Sequence, residues 1–205
     1  SSSSLSISEK VRLLPVLSET LFECDNLEII NGDVMKLDLR KIIDEKFSDC
    51  KSVKVCANLP YYITSPVVMT LLESNLPIDE IVVMVQKEAA ERLCAEVGSR
   101  DSGAVTVAVN YYAESEMLFE VQRDSFTPSP KVDSEVIRLK IRKTPAVKVS
   151  DSKHFFSLVK ACFAQRRKTA VNSISSTMAI PKSNVASALE KLEIDTNIRA
   201  EKLTM

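Results

Sequence analysis

A short polar and aromatic stretch interrupts the apolar sequence after the run KVCA. It consists of Asn58, Leu59, Pro60 and Tyr61. A side-chain amide carries an acceptor and two donors, so Asn58 can hydrogen bond an amino group and orient its lone pair. Pro60 fixes its own φ angle and biases Leu59 toward an extended shape, which stiffens the turn. Tyr61 offers a flat face for a nucleobase, although a strand-end turn with a packed tyrosine is the plain structural alternative.

A second aromatic residue lies in another proline-stiffened segment, DSFTPSPKVDSEV. Phe126 precedes Pro128 and Pro130, just before a predicted strand. Together with Tyr61 it is predicted to sandwich a flat substrate. Packing of Phe126 into the core is the alternative.

A carboxylate follows the run EIING at Asp33. At a strand end it can accept hydrogen bonds from an exocyclic amine or a ribose hydroxyl. An ordinary Gly-Asp turn explains the same two residues equally simply.

The elements that must position these residues alternate between strand and helix. Strands are predicted at LEIIN, SVKVCANL, IDEIVVMVQ and SEVIRLKIR, with helices between them and a closing antiparallel pair near Met117–Arg142. This order predicts an α/β sheet with helices on its faces, whose ligand lies outside the carboxyl ends of the strands. Further helices are predicted near residues 9–22 and at SPVVMTLLES, where Ser65 is the expected N-cap.

Composition narrows the class of protein. The chain is 45% hydrophobic and 27% charged, without an apolar run long enough to span a membrane. Five scattered cysteines form no CxxC pair, which argues against a zinc site and a disulfide framework and for the reducing cytoplasm. With His154 as the single histidine, histidine-based catalysis is a poor hypothesis.

The strand pattern stops after residues 144–151, and the remaining segment is predicted to be helical. Basic residues outnumber acidic ones there by nine to five, and Arg166, Arg167 and Lys168 form the densest cluster. We expect these cations, on a predicted helix, to contact phosphates. A solvated helix end is the alternative.

Taken in order, Asp33 and the segments NLPYYITSP, VQKEAAERL, FTPSPKVDS and ACFAQRRKT resemble the bacterial 16S rRNA adenine dimethyltransferases from about Arg12 to Met205. The resemblance implies a Rossmann-like, S-adenosylmethionine-dependent methyltransferase sheet followed by a small all-α domain. It implies a partial catalytic domain at residues 1–147 and a helical rRNA-binding domain at residues 148–205. The expected location is cytoplasmic, without membrane or metal.

The resemblance also implies roles for the residues of the site. Asp33 would hold the adenine of S-adenosylmethionine, and Asn58 would line the place where the methyl donor meets the target amine. Asn58 and the Leu59 carbonyl, in the turn that Pro60 stiffens, would bind the amino group of a flipped adenine. Tyr61 and Phe126 would stack on that base.

The RNA-binding residues implied by the resemblance are Lys131, Arg166, Arg167 and Lys168. Their partner would be the small-subunit rRNA in the immature 30S particle. Three alternatives remain open: an rRNA-binding assembly factor without catalysis, a 23S rRNA adenine methyltransferase, and a DNA adenine methyltransferase.

The sequence departs from the family near its beginning. Members carry a GQNFL-like segment and an E-x-G-x-G-x-G loop, whereas the glycines here are Gly32, Gly98 and Gly103. Ser8 and Lys10 stand where the family has acidic residues. We therefore expect a chain that is truncated at its N-terminus, whose first eleven or so residues are unlike the family, and which binds S-adenosylmethionine weakly. Two strands would be missing or replaced, leaving a sheet edge exposed.

Overall fold

The computed structural model describes residues 3–8 and 14–204. Two short strands, β1 (Ser4–Ser8) and β2 (Leu27–Asn31), pair in parallel, with Ser4 opposite Leu27 and Ser8 opposite Asn31. Helix α1 (Leu14–Thr20) lies between them in sequence. The sequence predicted β2 but not β1, because serine-rich segments carry little strand preference.

The main sheet has four strands in the order β3-β4-β6-β5. β3 and β4 run parallel, while β6 is antiparallel to both of its neighbours. The antiparallel pair predicted near Met117–Arg142 is therefore confirmed. The strands are β3 (Lys54–Asn58), β4 (Glu80–Gln86), β5 (Ala113–Val121) and β6 (Ser134–Ile141).

Helices cover this sheet as the alternating pattern predicts. They are α2 (Leu39–Lys46), α3 (Thr64–Glu73), α4 (Lys87–Leu93) and α5 (Ala104–Tyr112). In the central strand β4, Ile81, Val83 and Val85 are fully buried and belong to the same core as Val68 of α3. Burial of this apolar face fixes the register, since a slip of one residue would turn it toward solvent.

Helix α3 begins earlier than predicted, so the expected N-cap at Ser65 is wrong. A 3-10 turn at Tyr61–Ile63 leads into Thr64, and the chain is already helical when it reaches Ser65.

The C-terminal segment forms three helices with a core of their own. They are α6 (Ser152–Phe163), α7 (Ala170–Met178) and α8 (Lys182–Lys191). Asp151 caps α6 by accepting hydrogen bonds from two backbone N–H groups, and Thr169 caps α7. Ile174 and Leu189 lie in the shared core. The division at residues 147 and 148 stays a prediction.

An aromatic cluster joins these helices to the sheet part of the chain. Tyr111 at the end of α5 contacts Phe155 and Phe156 of α6, and Tyr112 contacts Phe156, with ring centroids 5.2 to 5.6 Å apart. Such ring pairs stabilise beyond the area that they bury.

Within residues 3–8 and 14–204 no strand pairs with the free edge of β3, so β1 and β2 form a separate sheet. The predicted departure at Lys10, and residues 9–13 of the first predicted helix, lie outside the described residues. None of the described helices is long and apolar enough to cross a membrane.

Candidate active site at the carboxyl edge of the sheet

Asn58 is the last residue of β3 and lies opposite Met84 of β4. Its side chain is exposed, whereas the side chain of Leu59 turns inward and packs against the main core. In the described part of the chain, neither the Asn58 carboxamide nor the Leu59 carbonyl has a hydrogen-bond partner. Both are therefore free to bind a ligand.

The turn after Asn58 is held by its own backbone. Pro60 adopts φ −56° and ψ 135°, and its carbonyl accepts hydrogen bonds from the Ile63 amide at 3.0 Å and the Thr64 hydroxyl at 3.3 Å. Thr64 is almost fully buried. These contacts hold the turn against α3, in agreement with the stiffness predicted from Pro60.

Tyr61 is half-buried, and its hydroxyl lies 2.9 Å from the hydroxyl of Ser134, within hydrogen-bond distance. Ser134 is the first residue of β6 and lies opposite Gln86, the last residue of β4. The bond therefore joins the turn after β3 to the start of β6.

Strand direction brings Phe126 to the same edge as Asn58. β3 and β4 end there, β5 ends there at Val121, and antiparallel β6 begins there. The β5–β6 loop carries Phe126 in a half-buried position, so it is not a core residue. The strand order thus places Asn58, Tyr61 and Phe126 at the same edge of the sheet. Neither of the two cavities described below is lined by these residues.

The β5–β6 loop is closed by Arg123 and Asp133. The Arg123 amide donates to the Asp133 carboxylate at 3.0 Å, and the Arg123 guanidinium donates to the Lys131 carbonyl at 3.3 Å. Ser129 donates to the Arg123 carbonyl at 3.0 Å. The Lys131 side chain is exposed at the tip, as a phosphate contact requires.

Asp33 follows β2 by two residues. One carboxylate oxygen accepts a hydrogen bond from the Met35 amide at 2.9 Å, and the other lies 3.4 Å from the Lys36 ammonium. The turn that the sequence offered as an alternative is therefore present. The side chain is 25% exposed, and the ion pair is weak because the Lys36 side chain is 83% exposed. One carboxylate oxygen can thus still accept a hydrogen bond from a ligand.

The three consecutive cations do not lie on a helix. Arg166, Arg167 and Lys168 occupy the exposed turn between α6 and α7, because α6 ends at Phe163. The Gln165 amide donates to the buried Ser173 hydroxyl, which fixes the turn. The Arg166 guanidinium donates to the Arg100 carbonyl at 3.3 Å and so reaches the α4–α5 loop. A turn presents adjacent side chains to one partner better than a helix does.

Two open depressions of about 390 and 420 Å³ lie at the opposite edge of the strands, beside α2. Val53 and Asp79 line one of them, and Leu5 and Leu27 line the other. No group of His, Cys, Asp and Glu suited to a metal ion occurs among residues 3–8 and 14–204.

The sequence alone did not reveal the contributions of Thr64, Arg123, Asp133 and Ser134. All four act through contacts between distant segments or through turn geometry. The one signal available was the polar pair Asp133-Ser134 directly before an apolar strand, a position where side chains often cap loops.

Comparison with known proteins shows the family to which this chain belongs. A family model described as ribosomal RNA adenine dimethylase matches residues 3–205. The expectation that the first eleven or so residues are unlike the family is therefore wrong. The serine-rich opening forms strand β1, which includes Ser8 at one of the two positions where the family was expected to carry an acidic residue.

Bacterial relatives are similar over most of their length. The ribosomal RNA small subunit methyltransferase A of Bacillus licheniformis is 47% identical over 197 residues, which cover 95% of this chain and 68% of the relative. The protein of the same name from Alkaliphilus oremlandii is 47% identical over 194 residues, covering 94% and 67%.

Solved structures agree with the fold. A crystal structure of a dimethyladenosine transferase from Plasmodium falciparum superposes with a TM-score of 0.77 at 25% identity, covering 98% of this chain and 78% of that one. The 23S rRNA methyltransferase ErmE superposes with a TM-score of 0.67 at 24% identity, covering 98% and 76%, which shows the fold alone.

Proposed function

The chain belongs to the ribosomal RNA adenine dimethylase family, and from that premise we propose how its residues serve the S-adenosylmethionine-dependent dimethylation of adenine N6 in 16S rRNA. The enzyme is an rRNA adenine N6-methyltransferase. The observation that carries the assignment of the site is the free amide of Asn58 at the sheet edge where the β5–β6 loop also begins and ends.

Asn58 and Leu59 bind the target amine. In the first methyl transfer the Asn58 side-chain oxygen and the Leu59 carbonyl each accept a hydrogen bond from the N6 amino group, and in the second transfer one of them accepts from the single N–H that remains. In adenine the nitrogen lone pair is conjugated with the ring, and two acceptors placed this way favour a more tetrahedral nitrogen. Because that geometry belongs to the transition state, the two bonds lower the barrier rather than merely bind substrate. No strong base is required.

Tyr61 and Phe126 hold the base by stacking. An adenine must leave its helix or lie in a single-stranded loop before its amino group can enter such a site. Stacking on an aromatic ring is worth about 1–3 kcal/mol per base, which offsets part of the cost of unstacking. Pro60 keeps Tyr61 in the stiff turn next to Asn58.

Asp33 and Asn58 fit the cofactor by their chemistry. The carboxylate of Asp33 suits the exocyclic amine of the cofactor adenine, and Asn58 lies on the side of the site where the methyl donor must arrive. When bound, S-adenosylmethionine would supply the methyl group: each transfer breaks a carbon–sulfur bond, forms the bond to N6 and releases one N6 proton to solvent. The described residues contain no glycine-rich turn to approach the methionine part, so these 205 residues by themselves bind the cofactor weakly.

The exposed basic turn at Arg166, Arg167 and Lys168 contacts the phosphates of rRNA, and Lys131 adds a contact beside the target base. These cations position the RNA without reading its sequence. The particle that presents the RNA is the immature 30S subunit.

Methyl transfer to defined particles tests the function. The gene product that contains these 205 residues is incubated with labelled S-adenosylmethionine and immature small subunits, and the rRNA is digested to nucleosides. We expect N6,N6-dimethyladenosine in 16S rRNA and none in 23S rRNA. Methylation of 23S rRNA alone would contradict the assigned substrate. Binding of the particle without any methylated nucleoside would contradict the enzymatic function.

A further inference from the structure

Two adjacent residues, Asp133 and Ser134, connect all three loops at the carboxyl edge of the main sheet. The Asp133 carbonyl accepts a hydrogen bond from the Lys87 amide at 3.1 Å, at the start of α4. The Asp133 carboxylate accepts one from the Arg123 amide at 3.0 Å, in the loop of Phe126. The Ser134 hydroxyl bonds the hydroxyl of Tyr61 at 2.9 Å.

Ser134 is 0% exposed, so water cannot take the place of Tyr61 as its partner. The backbone pairing of Ser134 with Gln86 and Val121 fixes the position of its hydroxyl. Tyr61 is therefore held at both ends: its backbone lies in the 3-10 turn, and its phenol oxygen is bonded to a strand. A ring held at both ends keeps the position and direction of its long axis, and the in-plane preference of the phenol O–H bond favours one rotation of the ring about that axis.

We propose that Ser134 is a positioning residue that fixes the position and long axis of the Tyr61 ring against which the target adenine stacks. Ser134 does not touch the base. It acts through the phenol hydroxyl, and it links the turn after β3 to the strand that follows the loop of Phe126. The inference rests on the proposed function, because the position of the Tyr61 ring matters only if a base lies against it.

The geometry of methyl transfer explains why the hydrogen bond between Tyr61 and Ser134 is useful. Transfer of a methyl group requires the acceptor nitrogen to lie in line with the donor, and small errors of position reduce the rate strongly. A tyrosine with a free hydroxyl could still stack, but the base on it would sample more orientations. The bond to Ser134 should therefore affect turnover of bound RNA more than RNA affinity, which depends on the distant basic turn at residues 166–168.

A double-mutant cycle tests the proposal. The variants are Ser134→Ala, Tyr61→Phe and their combination, all in the gene product that contains this chain. Ser52→Ala is the matched control, because Ser52 is exposed in the segment before β3, at the opposite end of that strand. Methylation of immature small subunits gives kcat and KM for the RNA particle, and circular dichroism melts give the folded fraction at the assay temperature.

We expect each single substitution to lower kcat by about 3- to 10-fold, the range that one hydrogen bond supports. KM for the particle should stay within about twofold of wild type, and the double variant within about twofold of either single variant. Ser52→Ala should behave as wild type.

Three results would overturn the proposal: a Ser134→Ala enzyme with wild-type kcat, single effects that multiply in the double variant, or a lower rate that merely follows a lower folded fraction. Failure of the proposed function has a different signature, since the wild-type protein would then leave 16S rRNA unmethylated in the same assay.

Discussion

Replacement of Phe156 by leucine should destabilise the sheet part and the C-terminal helices together. Phe156 is 8% exposed and lies in α6. Its ring meets Tyr111 edge-on at 5.2 Å and stacks on Tyr112 at 5.4 Å, both at the end of α5. Leucine keeps an apolar side chain in the site but removes the two contacts that this ring makes with α5.

The size of the effect follows from these two contacts. Each aromatic pair contributes about 0.5–1.5 kcal/mol beyond the area that it buries, so Phe156→Leu should cost about 1–3 kcal/mol. With a denaturant slope of about 2 kcal/mol per molar urea, the midpoint should fall by about 1 M. The solvent-facing control is Phe22→Leu, since Phe22 is 75% exposed. Its effect should stay within about 0.5 kcal/mol.

Urea denaturation followed by circular dichroism measures the change in the free energy of unfolding. Hydrogen exchange measured peptide by peptide shows which elements are destabilised. We expect amides of α5 and α6 to lose protection to the same degree, because the cluster belongs to both. A Phe156→Leu protein whose stability lies within about 0.5 kcal/mol of wild type would refute the reasoning. Loss of protection confined to α6 would refute the shared role of the cluster.

Three further results are expected. Burial raises the pKa of the Cys94 and Cys162 thiols from 9.0 to about 11, so the folded chain keeps protons that the unfolded chain releases in this interval. The free energy of unfolding should therefore fall as pH rises from 9 to 11, and it should fall less in Cys162→Ala. Denaturation at several pH values measures both trends. Replacing residues 166–168 by glutamine should weaken rRNA binding and lower the salt slope of log K by about 2–3, whereas Lys51→Gln, at an exposed site near the opposite edge, should change neither. Calorimetry on these 205 residues should find S-adenosylmethionine binding weaker than about 100 µM, and Asp33→Ala should abolish what remains; micromolar affinity would contradict the cofactor argument.

Local pattern was enough to predict the strands that carry the site. The apolar run of β4 and the alternating apolar residues of β6 are visible in the sequence, and the polar end of β3 at Asn58 identifies the edge where that strand stops. The stiff turn follows from Pro60 because a proline acts on its own backbone and on the residue before it.

Features that depend on contacts between residues far apart in the chain could not be predicted from the sequence. The bond between Tyr61 and Ser134 joins residues 73 positions apart, and no local pattern predicts it. Strand β1 forms because it pairs with β2, although its serines favour no strand. The turn at Arg166 breaks a segment that reads as helix, because the Gln165 amide bonds the Ser173 hydroxyl instead of continuing α6.

The most direct test of the site is the activity of Asn58→Ala on immature small subunits. The exposed Asn58 side chain makes no hydrogen bond within the described residues, so its removal should leave folding unchanged. We expect kcat for dimethylation to fall by about 100-fold or more, the loss typical of a removed transition-state hydrogen bond, while affinity for the particle is retained. An Asn58→Ala enzyme that methylates 16S rRNA at the wild-type rate would contradict the assignment of this residue to the target amine.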